Sequence, residues 1–267
     1  MEREFSKKRM NEDRMVLDVA LEAGCILLKN GAEIFRVEET VYRICHYYGI
    51  KSCSVFTLTN GIFLTAGSTT DPYFAKVKHL PVGGSHLGRV AAVNQLSREI
   101  EQGKYTIEEV EQQLKEIQNI PEKSNISKIV ASGIGCGAFC FLFNGNYLDA
   151  LTAAIAGVLY YVFTIYINRN RMSKITGNLC GGILLTVVCL ISYYFQIGQH
   201  MDAMIAGSIM PLVPGVPFTN SIRDFADGDY ISGAVRMLDA VLVFFSIAMG
   251  IGFVFLMYHH LLGGNIL

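Results

Sequence analysis

A short polar segment that follows a cluster of prolines could bind a small carboxylate. Its hydroxyl, amide, guanidinium and carboxyl groups belong to Thr219, Asn220, Ser221, Arg223 and Asp224. The residues that interrupt the helix before it are Pro214, Gly215 and Pro217, preceded by Pro211. Proline ends a helix because it lacks a backbone N–H and clashes with the preceding turn. Apolar runs lie on both sides, which predicts a broken membrane span lined by protein or by a water-filled cavity. The alternative is an ordinary loop outside the membrane.

The spacing of these groups suggests a role for each. Ser221 and Asp224 form a capping box that predicts the start of a half-helix, after an extended Pro211–Thr219. The N-terminus of a half-helix attracts a carboxylate. Arg223 either pairs with that carboxylate or marks the cytoplasmic end. Asp224 could bind a coupling proton, cap the half-helix or pair with Arg223.

Asp239 lies one turn beyond Arg236, near the start of the last apolar run. A structural ion pair between these two residues and a proton-binding role for Asp239 are both open.

The elements that must position these groups follow from an uneven distribution of charge. The chain has 267 residues, of which 51% are hydrophobic, and a mean hydropathy of +0.36. Residues 1–124 carry most of the charge and predict a cytosolic α+β domain, whereas residues 125–267 predict a transmembrane helical domain. A span needs about 20 apolar residues. Five runs approach that length: Ile126–Phe143, Ala150–Ile167, Ile175–Phe195, the broken Ala203–Phe218 and Ala240–Tyr258. We therefore expect an α-helical integral membrane protein with about five spans.

The N-terminal domain shows helical and strand periodicities in alternation. Apolar spacing predicts helices over 15–28 and 32–48, then two more over 87–102 and 106–118. Between the two pairs, strands over 52–59 and 62–66 flank Asn60-Gly61, a strong hairpin signal.

Charge in the gaps between spans predicts orientation, although the net charge is only −1. Lys and Arg concentrate in alternate gaps, at Arg169, Arg171 and Lys174 and at Arg223 and Arg236. Because positive charge marks the cytoplasmic side, we expect a multi-pass plasma-membrane protein with its N-terminus inside and its C-terminus outside. Without an evident signal peptide, the first cysteines are expected to stay reduced.

Two motifs give the chain a family resemblance. Asn30-Gly31-Ala32-Glu33 with Arg36, and Pro214-Gly215-Val216-Pro217-Phe218-Thr219-Asn220 with Asp224, resemble the threonine/serine exporter (ThrE-like) family. The resemblance implies export of small polar carboxylates, either threonine and serine or a dicarboxylate such as succinate. It also adds Gly31, Glu33 and Arg36 to the candidate site residues, beside Asp239.

The family's full-length members carry about ten spans, so five spans resemble the split form of the exporter. That form implies a second small membrane subunit and a homo- or hetero-oligomer in the lipid bilayer.

The sequence also allows a function other than export. A membrane-anchored enzyme, or a regulatory subunit with its chemistry in the cytosolic domain, is the alternative, and activity of residues 1–124 alone would indicate an enzyme. We expect a transporter rather than an enzyme, because no nucleophile elbow, HExxH or Walker motif occurs. We expect no catalytic residue, cofactor, metal ion or nucleic-acid partner.

Overall fold

The computed structural model describes residues 2–67, 72–81, 84–169 and 173–262. These residues are mostly helical and belong to two compact units. Unit 1 contains Met1–Glu122 and Val216–Met237, and unit 2 contains Lys123–Gly215 and Leu238–Leu267. Whether two domains divide at residues 124 and 125 stays a prediction.

Four helices of unit 1 surround one hydrophobic core. They are α1 (Glu2–Lys29), α2 (Ile34–Tyr47), α3 (Leu87–Glu101) and α4 (Ile107–Gln118). Helix α2 shows how the sequence builds this core, since its buried residues recur every three or four positions: Ile34, Val37, Thr40, Val41, Ile44 and Cys45. Thr106 and Glu109 begin α4 with a reciprocal capping box, which confirms the N-terminus predicted there.

A three-stranded antiparallel sheet completes the first segment of unit 1. Strands β1 (Cys53–Leu58), β2 (Gly61–Gly67) and β3 (Pro72–His79) lie in sequence order. Leu58 pairs with Gly61, so the two-residue turn is Thr59-Asn60, one position earlier than predicted. Ile62, Leu64 and Ala66 occupy alternate positions of β2 and enter the hydrophobic core, which fixes the register.

Unit 2 contains long apolar helices. They are α5 (Asn125–Leu142), α6 (Tyr147–Arg169), α7 (Lys174–Tyr194) and the short α8 (Met201–Ser208). After α9 (Gly215–Ala226), helix α10 (Tyr230–Leu262) supplies the last part of unit 2 from Leu238 onward.

Among the described residues, four helices are long and apolar enough to cross a membrane. These are α5, α6 over Tyr147–Tyr166, α7, and α10 over Tyr230–Leu261. The expected fifth span is not among them, because α8 has only 8 residues and a turn separates it from α9.

The prediction for the segment after the prolines was wrong in one respect. The backbone is helical from Gly215, so Ser221 and Asp224 lie inside α9 and do not begin a half-helix. Pro217 occupies the first turn of α9, where a backbone N–H has no intrahelical acceptor, and its missing donor therefore costs little. Residues 215–219 are consequently not extended.

Small residues let the helices of unit 2 approach closely. A Cβ atom at Gly157 of α6 would lie 2.5 Å from the Cys136 Sγ atom of α5. One at Gly250 of α10 would lie 2.5 Å from the Leu179 carbonyl oxygen of α7. Helix α8 lies against α5 at Gly207, where a Cβ atom would be 2.6 Å from the Cys140 nitrogen. Larger side chains at these positions would force the helices apart.

Candidate functional site

The two motifs that suggested a family meet in unit 1. One is the turn between α1 and α2, and the other is α9. Both belong to the same compact unit although they are almost 190 residues apart in the chain, as the 189-residue separation of Asn220 and Gly31 shows.

The α1–α2 turn presents two backbone carbonyl groups. Helix α1 ends in a Schellman motif, in which the Gly31 N–H donates to Leu28 and the Ala32 N–H donates to Leu27. Gly31 has a φ of +84°, which glycine adopts at low cost. A Cβ atom there would also lie 2.7 Å from the Ser85 Oγ atom. The turn therefore depends on glycine for both its conformation and its packing.

Side chains of the second motif bond to those carbonyl groups. The Asn220 Nδ2 atom donates to the Gly31 oxygen at 3.0 Å. The Arg236 Nη2 atom, from the first turns of α10, donates to the Ala32 oxygen at 2.9 Å. These bonds fix α9 and the start of α10 against the α1–α2 turn.

Asp224 is the buried centre of this cluster, with 1% of its surface exposed. The Ile34 N–H, at the start of α2, lies close enough to favour the ionised form of this carboxyl group. The Glu33 side chain makes no capping bond there, so Asp224 is a buried carboxylate that faces the N-terminus of α2. Its Oδ2 atom lies 3.2 Å from the Arg236 Nη1 atom, without hydrogen-bond geometry, so both atoms keep unused bonding capacity.

Several charges act on the Asp224 carboxyl group. Burial raises its pKa, because the ionised form loses hydration. The Arg236 guanidinium and the Ile34 N–H oppose this rise, whereas the carboxylates of Asp229 and Glu33 reinforce it. Asp224 therefore holds a proton more readily than an exposed aspartate does.

Glu33 and Arg223 form a second ion pair beside the buried one. The Arg223 Nη1 atom donates to the Glu33 Oε1 atom at 2.8 Å, and Arg36 pairs with the other oxygen of the same carboxylate. The guanidinium carbon of Arg223 lies 4.6 Å from the centre of the Phe35 ring, within reach of a cation–π interaction. The Arg223 side chain is 48% exposed, so it remains accessible from solvent.

The structure brings together six of the sequence-predicted site residues: Gly31, Glu33, Arg36, Asn220, Arg223 and Asp224. Ser221 is fully buried and donates within α9 to the Phe218 oxygen. Thr219 donates to the Val216 oxygen of the same helix. Pro214 immediately precedes α9, Gly215 is its first residue, and Pro217 lies in its first turn.

Two pairings expected from the sequence are different in the structure. Asp224 faces Arg236 rather than Arg223. Asp239 bonds to Lys174 in unit 2 at 2.6 Å, not to Arg236, and it lies outside the cluster. Arg223 and Asp224 are successive helical residues and point in different directions. Arg236 and Asp239 are three residues apart and could have paired, but Arg236 bonds to the Ala32 oxygen and faces Asp224 instead.

Two largely buried charged residues were not among the predicted site residues: Arg236, which belongs to the cluster, and Asp149, which lies in unit 2. Arg236 was considered only as a charge marker and as a partner of Asp239, although its side chain is only 13% exposed. In unit 2, Asp149 was overlooked at the start of α6. It is fully buried and accepts from the Gln199 N–H at 2.7 Å and from the Asn146 N–H at 2.9 Å, and its Oδ2 atom lies 2.8 Å from the His200 Nδ1 atom. Arg236 belongs to no recognisable motif, whereas Asn146 and Asp149 have the spacing of a capping box at the start of α6.

Comparison with known proteins identifies the family of this chain. Residues 18–258 match the family described as "Putative threonine/serine exporter". A Mycobacterium tuberculosis protein named "Probable threonine/serine exporter" is 22% identical over 89% of this chain, which covers 45% of that relative's length.

Shorter relatives are covered almost completely. Proteins named "Probable succinate transporter subunit YjjP" from Klebsiella aerogenes and Escherichia coli are each 23% identical over 90% of this chain and 93% of their own length. No solved structure shows significant similarity. The family is one of transporters rather than enzymes. The four long apolar helices of this chain fit a multi-pass membrane protein. The chain belongs to the threonine/serine exporter family.

Proposed function

We propose that the chain is a subunit of a plasma-membrane exporter for small polar carboxylates. Its substrates would be threonine- or serine-type amino acids or a dicarboxylate such as succinate, in line with the names of its relatives. The observation that carries the proposal is the convergence of the two motifs on one buried charged cluster, around Asp224 and Arg236.

Arg223 and Arg236 are the groups that would hold a substrate carboxylate. Arg236 is mostly buried and keeps an unused donor, and a carboxylate bonded to a guanidinium is worth more than a neutral hydrogen bond. Arg223 is half exposed and would receive the anion first. Asn220 would keep α9 and the α1–α2 turn in register while the anion is bound.

Proton binding to Asp224 would free Arg236 for the substrate. Ionised Asp224 competes with an incoming carboxylate for the same guanidinium, whereas protonated Asp224 does not. An exposed aspartate has a pKa of about 3.9. Because burial raises the pKa of the Asp224 carboxyl group, this group takes up a proton at a higher pH than an exposed aspartate does. Export by the native chain should then rise as cytosolic pH falls, and Asp224→Asn should remove that dependence.

Five membrane crossings are proposed, with α8 and the turn after it forming the fourth. Helix α8 rises about 12 Å at 1.5 Å per residue, and the turn over 209–214 connects it to α9. The gaps after α5 and α7 contain neither Lys nor Arg, whereas Arg169, Arg171 and Lys174 lie in or beside the gap before α7. With positive charge inside, the N-terminus is cytoplasmic and the C-terminus lies outside.

A second small membrane subunit would complete the exporter. Outward-facing apolar side chains of unit 2 remain exposed, among them Ile134 of α5 at 68% and Phe245 of α10 at 66%. Lipid would cover part of this surface, and the second subunit or another copy of the chain would cover the rest. The names of two relatives describe those proteins as transporter subunits.

The export test uses variants introduced at the native locus, so that any native partner remains present. Asn220→Ala and Asp224→Asn should each lower efflux of labelled succinate or threonine, without lowering the protein's level in the membrane. Asn220→Ala removes one neutral hydrogen bond, to the Gly31 oxygen, which is worth about 0.5–1.5 kcal/mol. Asp224→Asn removes the ionisable group whose loss of a proton would displace the substrate carboxylate from Arg236.

Asp227→Asn is the matched control, because Asp227 is an exposed carboxylate of the same segment, 4.0 Å from Arg223. It should leave efflux near the wild-type rate. Wild-type efflux from both Asn220→Ala and Asp224→Asn would rule out this cluster as the substrate site. Strong efflux from liposomes that contain only this chain would rule out the need for a second subunit.

A further inference from the structure

A cavity lies in unit 1, and none of the residues that line it belongs to the cluster around Asp224. It occupies about 530 Å³ between one face of α1, the end of β3, the start of α3 and the end of α4. This volume is typical of sites for small organic molecules. Its floor contains the buried side chains of Leu21 and Ile26, and Leu80 lies at its edge.

The charged groups of the cavity are mostly cationic. Four cations and two carboxylates line it, namely Lys29, Lys76, Lys78, Arg89, Asp18 and Glu22. Asp18 pairs with Lys76 at 2.5 Å, whereas Glu22 accepts from the neutral Gln118 amide at 2.7 Å and keeps its charge. Four cations and two carboxylates therefore leave the lining with a net charge of +2, and Lys29, Lys78 and Arg89 are the cations without a paired carboxylate.

Those three cations differ in mobility. Among the described residues, no ion pair involves Lys29 or Lys78, and both side chains are exposed at the rim. Arg89 is held in place, because its Nη2 atom donates to the Ile120 oxygen at 2.8 Å. Its Nε atom is buried without a hydrogen-bond partner, which leaves one donor of a fixed guanidinium unsatisfied.

We propose that this cavity binds a small organic dicarboxylate. The two lysines and Arg89 would pair with the carboxylates, while the hydrocarbon segment between them would cover Leu21 and Ile26. Inorganic phosphate would satisfy the cations but would leave that apolar floor empty. A zwitterionic amino acid carries no net charge and would therefore be attracted less than a dianion by a lining whose net charge is +2.

Cys25 provides a reporter inside the cavity. Burial raises the pKa of its thiol to about 11, so the thiol stays neutral at physiological pH and the site binds its ligand without reacting with it. The side chain is partly exposed, so alkylation remains possible at alkaline pH. A ligand in the cavity would slow that alkylation.

The experiment measures binding and protection on the full chain in detergent. The chain carries Arg223→Gln, which removes an exposed cation from the candidate substrate site, so that binding at the two sites can be separated. Titration calorimetry follows succinate, threonine and inorganic phosphate. Peptide mass spectrometry follows N-ethylmaleimide labelling of Cys25 at pH 8.5–9. We expect succinate to bind more tightly than threonine or phosphate and to slow Cys25 labelling severalfold.

The decisive variant is Lys29→Gln combined with Lys78→Gln, since both side chains are exposed and the core is left intact. It should weaken succinate binding by roughly tenfold or more and abolish protection of Cys25. Lys51→Gln, an exposed lysine outside the cavity lining, is the control and should change neither result.

The proposal is overturned if succinate neither binds nor protects Cys25, or if the double variant binds as the control does. Equal binding of phosphate, or tighter binding of threonine, would overturn the dicarboxylate class. Because these measurements do not involve transport, failure of the export proposal leaves them unaffected.

Discussion

At the scale of single residues, the cluster in unit 1 depends on complementary roles rather than on one dominant group. Gly31 shapes the turn, Asn220 and Arg236 bond to its carbonyl groups, and the buried Asp224 carboxylate faces the start of the helix that follows. The motifs predicted several of these residues but not their pairings. Asp224 and Arg236 are brought together only when α9 and α10 fold back beside the α1–α2 turn, and no local spacing records that contact.

Gly31→Ala should destabilise unit 1 by about 1–2 kcal/mol from the left-handed backbone conformation, with a further cost from the contact with Ser85. The measurement is thermal unfolding of the purified chain in detergent. Gly49→Ala isolates the backbone contribution, because Gly49 has a φ of +89° and an added Cβ atom would meet nothing within 4 Å. Gly84→Ala, with neither feature, should be close to neutral. Equal stability of the Gly31 and Gly84 variants would show that the turn tolerates a side chain.

At the scale of elements, amphipathic periodicity and turn chemistry predicted most of unit 1. The four helices before residue 119 and the β1–β2 hairpin follow from local patterns, although α1 begins at Glu2, well before the predicted start at residue 15. Strand β3 was missed because it begins at Pro72, and proline normally argues against a strand although it is tolerated at the first position. Helix α9 was missed for the same reason, since three prolines in seven residues suggested a break that only its first turn had to accommodate.

The crossing of α7 and α10 provides a prediction at this scale. Gly250→Ala should separate the two helices, because the new Cβ atom would lie 2.5 Å from the Leu179 carbonyl oxygen. Overpacking of this kind costs about 1–3 kcal/mol. Thermal unfolding in detergent measures the loss. Gly252→Ala is the control on the same helix, since a Cβ atom there meets nothing within 4 Å. If both variants unfolded at the same temperature as the wild type, α7 and α10 would be packed less closely at Gly250 than described.

At the scale of the whole molecule, composition indicated a membrane protein but did not settle the path of the chain. Hydropathy located the four long spans because each is apolar over at least 18 residues. The broken run Ala203–Phe218 approaches the length of a span in the sequence, but the structure divides it between α8, a turn and the start of α9, so hydropathy alone did not predict its path. The division into units could not be predicted either, since Val216–Met237 joins a unit formed mainly by the N-terminal residues.

The orientation of the chain can be tested by cysteine labelling with a membrane-impermeant reagent on intact cells. Tyr147→Cys should be labelled from outside, because Tyr147 is 85% exposed at the start of α6 and the gap before it contains no Lys or Arg. Met172→Cys, which lies outside the described residues, should be labelled only after permeabilisation, since Arg169, Arg171 and Lys174 surround it and positive charge stays inside. The wild-type chain, with its seven cysteines, gives the background. Labelling of Met172→Cys on intact cells would invert the proposed topology, and would place Arg223 and Asp224 on the side where an exporter releases its substrate.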